Sequence, residues 1–206
     1  MTYSICMARL SSFTTKDFLK SAASLIADGG PDAATTTAIL QRAGASSGSF
    51  YYRFDSRDQL LGELWLELVE QYQREFLSFL HAGDGLSAAL FTPRWTRVHR
   101  TESRILLLYN KNDFAPDKWP ETFVKRARVN ATALKKGLQE FAKLAFGNCT
   151  GGVMRRIQFA LMDVPYAAVR RHLAANEQIP GSVDDLVRTC YLALMPTMEL
   201  GTTRIN

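Results

Sequence analysis

At 206 residues, with 47% apolar and 22% charged side chains, the chain has the composition of an ordinary globular protein. That length suits one large or two small domains, and the composition excludes a disordered chain, a collagen-like repeat and a disulfide scaffold. Twenty-five basic against twenty acidic side chains leave +5, which permits a polyanionic partner without arguing for one.

The first predicted helix runs from about Thr15 to Ala27, with Thr14 and Asp17 spaced as a capping box and Gly29 or Gly30 as its stop. A short helix follows from Thr36 to Ala43, capped by Thr35 and ended by Gly44. Ser46 caps a third piece, Ser47 to Phe54, in which Phe50 and Phe54 share a face. After Asp55-Ser56 a long helix carries Leu60, Leu61, Leu64, Leu68, Tyr72, Phe76 and Leu80 on one stripe. Its length of about 25 residues spans roughly 37 Å. Further helices are expected near 86–91, 94–110, 119–146, 153–176 and 182–200, with Thr92-Pro93 taken as a break. Strand competes only at Ile105 to Tyr109, where the flanking Trp95, Val98 and Glu102 favour helix. The expected fold class is all-α.

Cys6, Cys149 and Cys190 are odd in number and far apart, which suits reduced thiols. Met1 to Phe13 lacks the pattern of a signal peptide, and no apolar run approaches the roughly 20 residues of a membrane span. A cytoplasmic protein with no membrane partner is expected.

The corner at Gly44-Ala45-Ser46 has the marks of a helix-turn-helix. Ile39, Ala43 and Phe50 close its inner side, and Gly44 supplies a left-handed residue. Ser47, Gly48, Ser49, Tyr51, Tyr52 and Arg53 remain outward, a face of hydroxyls, bare backbone and one cation that suits phosphates and base edges. The ordered run from Thr35 to Phe54, followed by Ser56-Arg57-Asp58-Gln59-Leu60-Leu61, resembles the DNA-binding domain of the TetR family of transcriptional regulators. The likeness covers residues 14–61, and beyond them only helical content and length agree.

That resemblance implies roles. Thr35 and Thr36 would present a helix N-terminus to a phosphate, and Thr37 would reach a base edge. Ser47, Gly48 and Ser49 would form the tip of a recognition helix in the major groove. Tyr51 and Tyr52 would bond phosphate or touch thymine methyls, Arg53 would add a phosphate contact, and Arg57 would hold the backbone from the start of the fourth helix. Ala45 stands where Val is usual, and Thr37 and Ser47 where many relatives carry Lys or Arg. The guanine contact of an arginine is thereby removed.

Residues 1–58 form the expected helix-turn-helix domain, and residues 59–206 a helical domain for effector binding and dimerisation. The last two long helices carry apolar stripes wide enough to pack within the subunit and against a twin, so a homodimer on double-stranded operator DNA is implied. Pro165 should kink the first of them. Trp65, Leu68, Tyr72, Trp95, His99, Tyr109, Phe123 and Met162 are the candidate lining of a pocket for a small, mostly apolar effector. Arg94, Arg97, Arg100 and Arg104 fall on one helical face, expected as a solvated stripe; by the resemblance, the start of this helix abuts the DNA-binding domain, so the stripe could instead pair with acids there or draw in an anionic effector. No catalytic, metal-ligating or cofactor motif is present: His81, His99 and His172 are scattered. The reading is a ligand-responsive repressor, with activation left open. Its alternatives are a DNA-binding protein without a ligand and, more remotely, an enzyme. The charge divides as six basic against five acidic residues in 1–58, and nineteen against fifteen beyond. Placement of charge, rather than its sum, therefore carries the DNA-binding case.

Overall fold

A computed structural model describes residues 13–114 and 119–195. Cys6, Met1 to Ser12, Pro116 and the stretch 196–200 of the last predicted helix lie outside the described residues. All regular structure among the described residues is helical. In chain order the elements are α1 (Thr15–Gly29), a 3-10 turn (Pro31–Ala33), α2 (Thr36–Ala43), α3 (Ser47–Tyr51), α4 (Arg57–His81), α5 (Gly85–Val98) and α6 (Arg100–Leu108). A second 3-10 turn (Lys111–Asp113), α7 (Glu121–Phe146), α8 (Gly151–Gln158), a π-helical turn (Phe159–Asp163), α9 (Val164–Ala174) and α10 (Ser182–Leu194) follow.

The starts of the first four helices are set by side chains. Asp17 accepts from the Thr14 backbone N–H at 2.7 Å and from its hydroxyl at 2.8 Å. Thr35 Oγ1 accepts from Ala38 N–H at 3.1 Å, Ser46 Oγ from Ser49 N–H at 3.3 Å, and Ser56 Oγ from Gln59 N–H at 3.1 Å. Each cap of this kind contributes about 1 kcal/mol.

Two cores result. The first gathers Phe18 and Ile26 of α1, Ile39 of α2, Phe50 of α3 and Phe54 just after it, and is completed by Leu60, Leu61, Leu64 and Leu68 of α4, Ile105 of α6 and Phe114. Packing thus crosses the 58/59 division, which stands as a proposed functional boundary. The second core joins Phe76 and Leu80 of α4 to Leu90, Phe91 and Trp95 of α5, Phe141 of α7, Ile157, Leu161, Val169 of α9 and Val187 of α10. Leu106 packs against both. A small third cluster holds Leu66, Trp119 and Phe123.

Three expectations need correction. Thr92-Pro93 is no break: Pro93 lies inside α5, and the chain bends instead at His99, with φ −111° and ψ 60°. Proline removes one backbone donor from the ladder. Here Leu90, Phe91, Thr92, Pro93 and Trp95 are all buried, so tertiary packing overrides the local preference. The third helix ends at Tyr51 rather than Phe54. The four arginines are not a solvated stripe, because that bend divides them between α5 and α6 and every one has a partner. Arg94 and Arg97 pair with Asp184, Arg97 also donates to the carbonyls of Ile179 and Pro180, and Arg100 donates to Asn176. Arg104 donates to Ala27 O at 2.7 Å and to Leu173 O, joining the C-terminal ends of α1 and α9. At Pro165 the irregularity takes the form of the π turn just before it.

Candidate functional site

The corner between α2 and α3 is built on Gly44, at φ 66° and ψ 26°. Its N–H donates to Gln41 O, and the next N–H, of Ala45, donates to Leu40 O. This paired pattern ends a helix with a left-handed residue, and Leu40 and Ala45 supply the apolar contact that accompanies it. On the inner side Phe50 meets Phe18 edge-on at 5.7 Å, and Phe54 lies 5.5 Å from Phe50 and 6.2 Å from Phe18. Three rings therefore lock α3 across α1.

The opposite side is left bare. Thr35, Thr37, Ser47 and Gly48 are exposed, Thr36 and Ser49 are half-buried, and Tyr51 and Tyr52 are 59% and 86% exposed. A Cβ built on Gly48 would meet no atom within 4 Å, so the fold itself does not require glycine there. The two arginines behave differently. Arg53 Nη1 donates to Ser49 O at 2.7 Å and Ser49 Oγ at 3.1 Å, its Nη2 reaches Phe13 O, and its guanidinium lies 5.6 Å from the Tyr52 ring centroid. Arg57 Nε donates to Ala34 O at 2.8 Å, Nη2 to Pro31 O at 2.6 Å and Nη1 to Asp58 at 3.0 Å. Arg57 therefore ties the loop before α2 to the start of α4. Both guanidiniums spend most of their donors on their own chain, and they position the exposed face more than they extend it.

Beyond this face, one cavity of about 320 Å³ opens against the middle of α4. Trp65, Val69, Tyr72, Gln73 and Phe76 of α4 form one wall, and Leu106 and Leu107 of α6 another. Thr92 of α5, Leu134 of α7, and Met162, Asp163 and Tyr166 around the π turn complete it. Tyr72 shares a 2.7 Å hydrogen bond with Thr92 Oγ1, and burial pushes its phenol up to about 12, so it stays neutral. Tyr166 donates to Leu107 O at 3.0 Å, linking α9 to α6. The indole N–H of Trp65 is buried without a partner among the described residues.

Of the candidate lining residues, Trp65, Tyr72 and Met162 share this cavity. Leu68 belongs to the first core and Trp95 to the second. His99 stacks on Trp95 at 4.9 Å in the α5–α6 bend. Tyr109 packs on the first core beside Gly30, and Phe123 sits in the small cluster against Trp119. A helix as long as α4 passes three separate clusters, so inward-facing residues at different heights do not meet. Phe76 was read on the α4 stripe but not as lining, and the rest of the missed lining (Leu106, Leu134 and Tyr166 among it) comes from α6, α7 and α9. Only the stripe on α4 carried a sequence signal.

Residues 18–64 match the family model described as bacterial regulatory proteins, tetR family. Among solved structures, the chain is similar to the transcriptional regulator FadR from Bacillus subtilis in complex with stearoyl-CoA. The TM-score is 0.60 at 13% identity, covering 88% of this chain and 97% of that one. At that identity the likeness establishes the helical fold. No curated protein matches the chain.

Proposed function

We propose that this chain is a TetR-family DNA-binding transcriptional regulator, as the match of residues 18–64 supports, and that it is a homodimeric repressor released from a near-palindromic operator by a small, mostly apolar effector. One continuous helix carries this conclusion: α4 starts at Arg57 beneath the reading surface and walls the cavity with Trp65, Tyr72 and Phe76 further along. An effector there releases DNA only if it binds the DNA-incompetent arrangement more tightly, and α4 is the rod whose tilt or shift distinguishes the two.

DNA is read by the exposed side of α2 and α3. Ser47, Gly48 and Ser49 approach base edges in the major groove, Thr37 reaches a base edge, and Thr35 and Thr36 offer a helix N-terminus to phosphate. Tyr51 and Tyr52 touch phosphate or thymine methyls. Arg53 and Arg57 hold this surface in register. Dimerisation uses the outward side of the last long helices, where Phe159, Leu186 and Leu192 are exposed while Ile157, Leu161, Val183 and Val187 face inward. A regulator of this kind works in the cytoplasm.

The cavity volume lies within the range of small-molecule sites, and its walls are chiefly aromatic and aliphatic. Stearoyl-CoA, the ligand of the FadR structure, fits this lining poorly, because no Lys, Arg or His among the described residues lines it to meet the phosphates. The test is retention of genomic fragments by the purified protein, then gel-shift titration of a recovered operator with and without small molecules. Operators that are released by an apolar compound support the proposal. Failure to retain any DNA at low salt overturns the regulator reading, and operators that no compound releases favour the ligand-free alternative.

A further inference from the structure

We propose that the cavity beside α4 selects a positively charged amphiphile, a compact apolar or aromatic body bearing one ammonium group, through Asp163. The proposal rests on the effector reading above and adds the sign of the effector's charge. At about 30 Å³ for each water-sized unit, a cavity of about 320 Å³ takes a ligand of roughly ten such units.

Among the described residues Asp163 is the one charged residue lining the cavity, and its side of the cavity is open to solvent. It closes the π turn with helical backbone angles, and its carboxylate caps no N–H of α9. No ion pair among the described residues includes it. An acid beside an apolar wall, with no cation of its own, takes its counter-charge from the ligand or from solvent. The turn that places it has a cause in the sequence. Pro165 offers no N–H to the preceding turn, the ladder opens there, and π turns of this sort recur at functional sites.

The rest of the wall has the same preference. Trp65, Tyr72, Phe76 and Tyr166 bring four aromatic rings, whose faces attract cations; Tyr72 and Phe76 lie deep, while Tyr166 is partly exposed beside Asp163. Tyr166 is fixed by its bond to Leu107 O, one helical turn from Asp163. Tyr72 stays neutral and so adds no competing charge. A carboxylate in the same place would face Asp163 with no cation to offset it.

Three probes of one skeleton separate charge from shape: phenylbutylamine, phenylbutanol and phenylbutanoate, titrated calorimetrically into the full chain and its Asp163→Asn variant. The amine is expected to bind at least roughly fivefold more tightly than the alcohol, and the carboxylate most weakly. In the variant the amine should fall to the level of the alcohol, with the alcohol unchanged. Equal binding of the three, or an amine preference that survives in the variant, overturns the charge assignment alone. Absence of binding by all three overturns the effector reading of the cavity together with it.

Discussion

At Gly48 the fold leaves open space where a side chain would stand. Glycine costs a helix up to about 1 kcal/mol relative to alanine, so Gly48→Ala should raise the melting temperature slightly. It should also weaken operator binding in a gel shift, because the new methyl enters the surface proposed to meet DNA; binding that is unchanged would remove Gly48 from the interface. Glu67 supplies a second residue-scale expectation. Burial, reinforced by the nearby Glu63, holds its carboxyl above the usual range, although Arg126 opposes this. A folded pKa above the unfolded one means that ionised Glu67 works against folding at neutral pH. Glu67→Gln should therefore stabilise at pH 7, by less than about 1 kcal/mol since the group is largely solvated. The gain should fade below about pH 4, where the carboxyl is protonated in both states. Thermal melts at the two pH values decide it. The arginines mark where residue-level legibility ends. Arg53, Arg57 and Arg104 all donate to main-chain carbonyls, and a carbonyl has no residue identity for a sequence to display.

Among the elements, the helices of the helix-turn-helix corner were the most legible, because their limits are local chemistry. Thr14 with Asp17, Thr35, Ser46 and Ser56 each fix a helix start by a bond within three residues, and Gly44 fixes a stop. The break assigned to Thr92-Pro93 failed for the opposite reason: burial on α5 decides that segment, and burial is set by partners distant in sequence. The cavity was legible only along α4. Its other walls come from α5, α6, α7, the π turn and α9, where Met162 alone was anticipated and whose convergence no single stretch announces. Among these, α6 has a special place, since it carries Leu106 and Leu107 into the cavity and Arg104 onto the ends of α1 and α9. Arg104→Ala should cost about 1–3 kcal/mol through the lost charged hydrogen bonds. It should also blunt the release of operator by effector, and Arg104→Lys should restore little, lacking the planar fork. Stability measured by urea melts, alongside gel shifts with and without effector, separates the two effects. A fully retained response to effector would show that Arg104 is a structural tie only.

For the whole molecule, the outward apolar residues of the last helices set the expected assembly. Replacing Phe159 and Leu192, 51% and 62% exposed, by arginine should give a well-folded monomer that sediments at half the mass and loses operator affinity by far more than any single contact explains. An unchanged sedimentation profile would place the dimer contact elsewhere. The mild charge of the reading domain fits this dependence on two-fold geometry, since six basic against five acidic residues in 1–58 give little unspecific pull on DNA. Leu106, held in both hydrophobic cores, has a thermodynamic consequence of its own. Neither core can admit water without uncovering a side chain that the other has buried. Heat should therefore melt the protein in one cooperative transition, with the calorimetric and van't Hoff enthalpies equal for each subunit. A fragment cut at residue 58 should stay unfolded, because Phe18, Phe50 and Phe54 would lose the leucines of α4 and Ile105 that keep them dry.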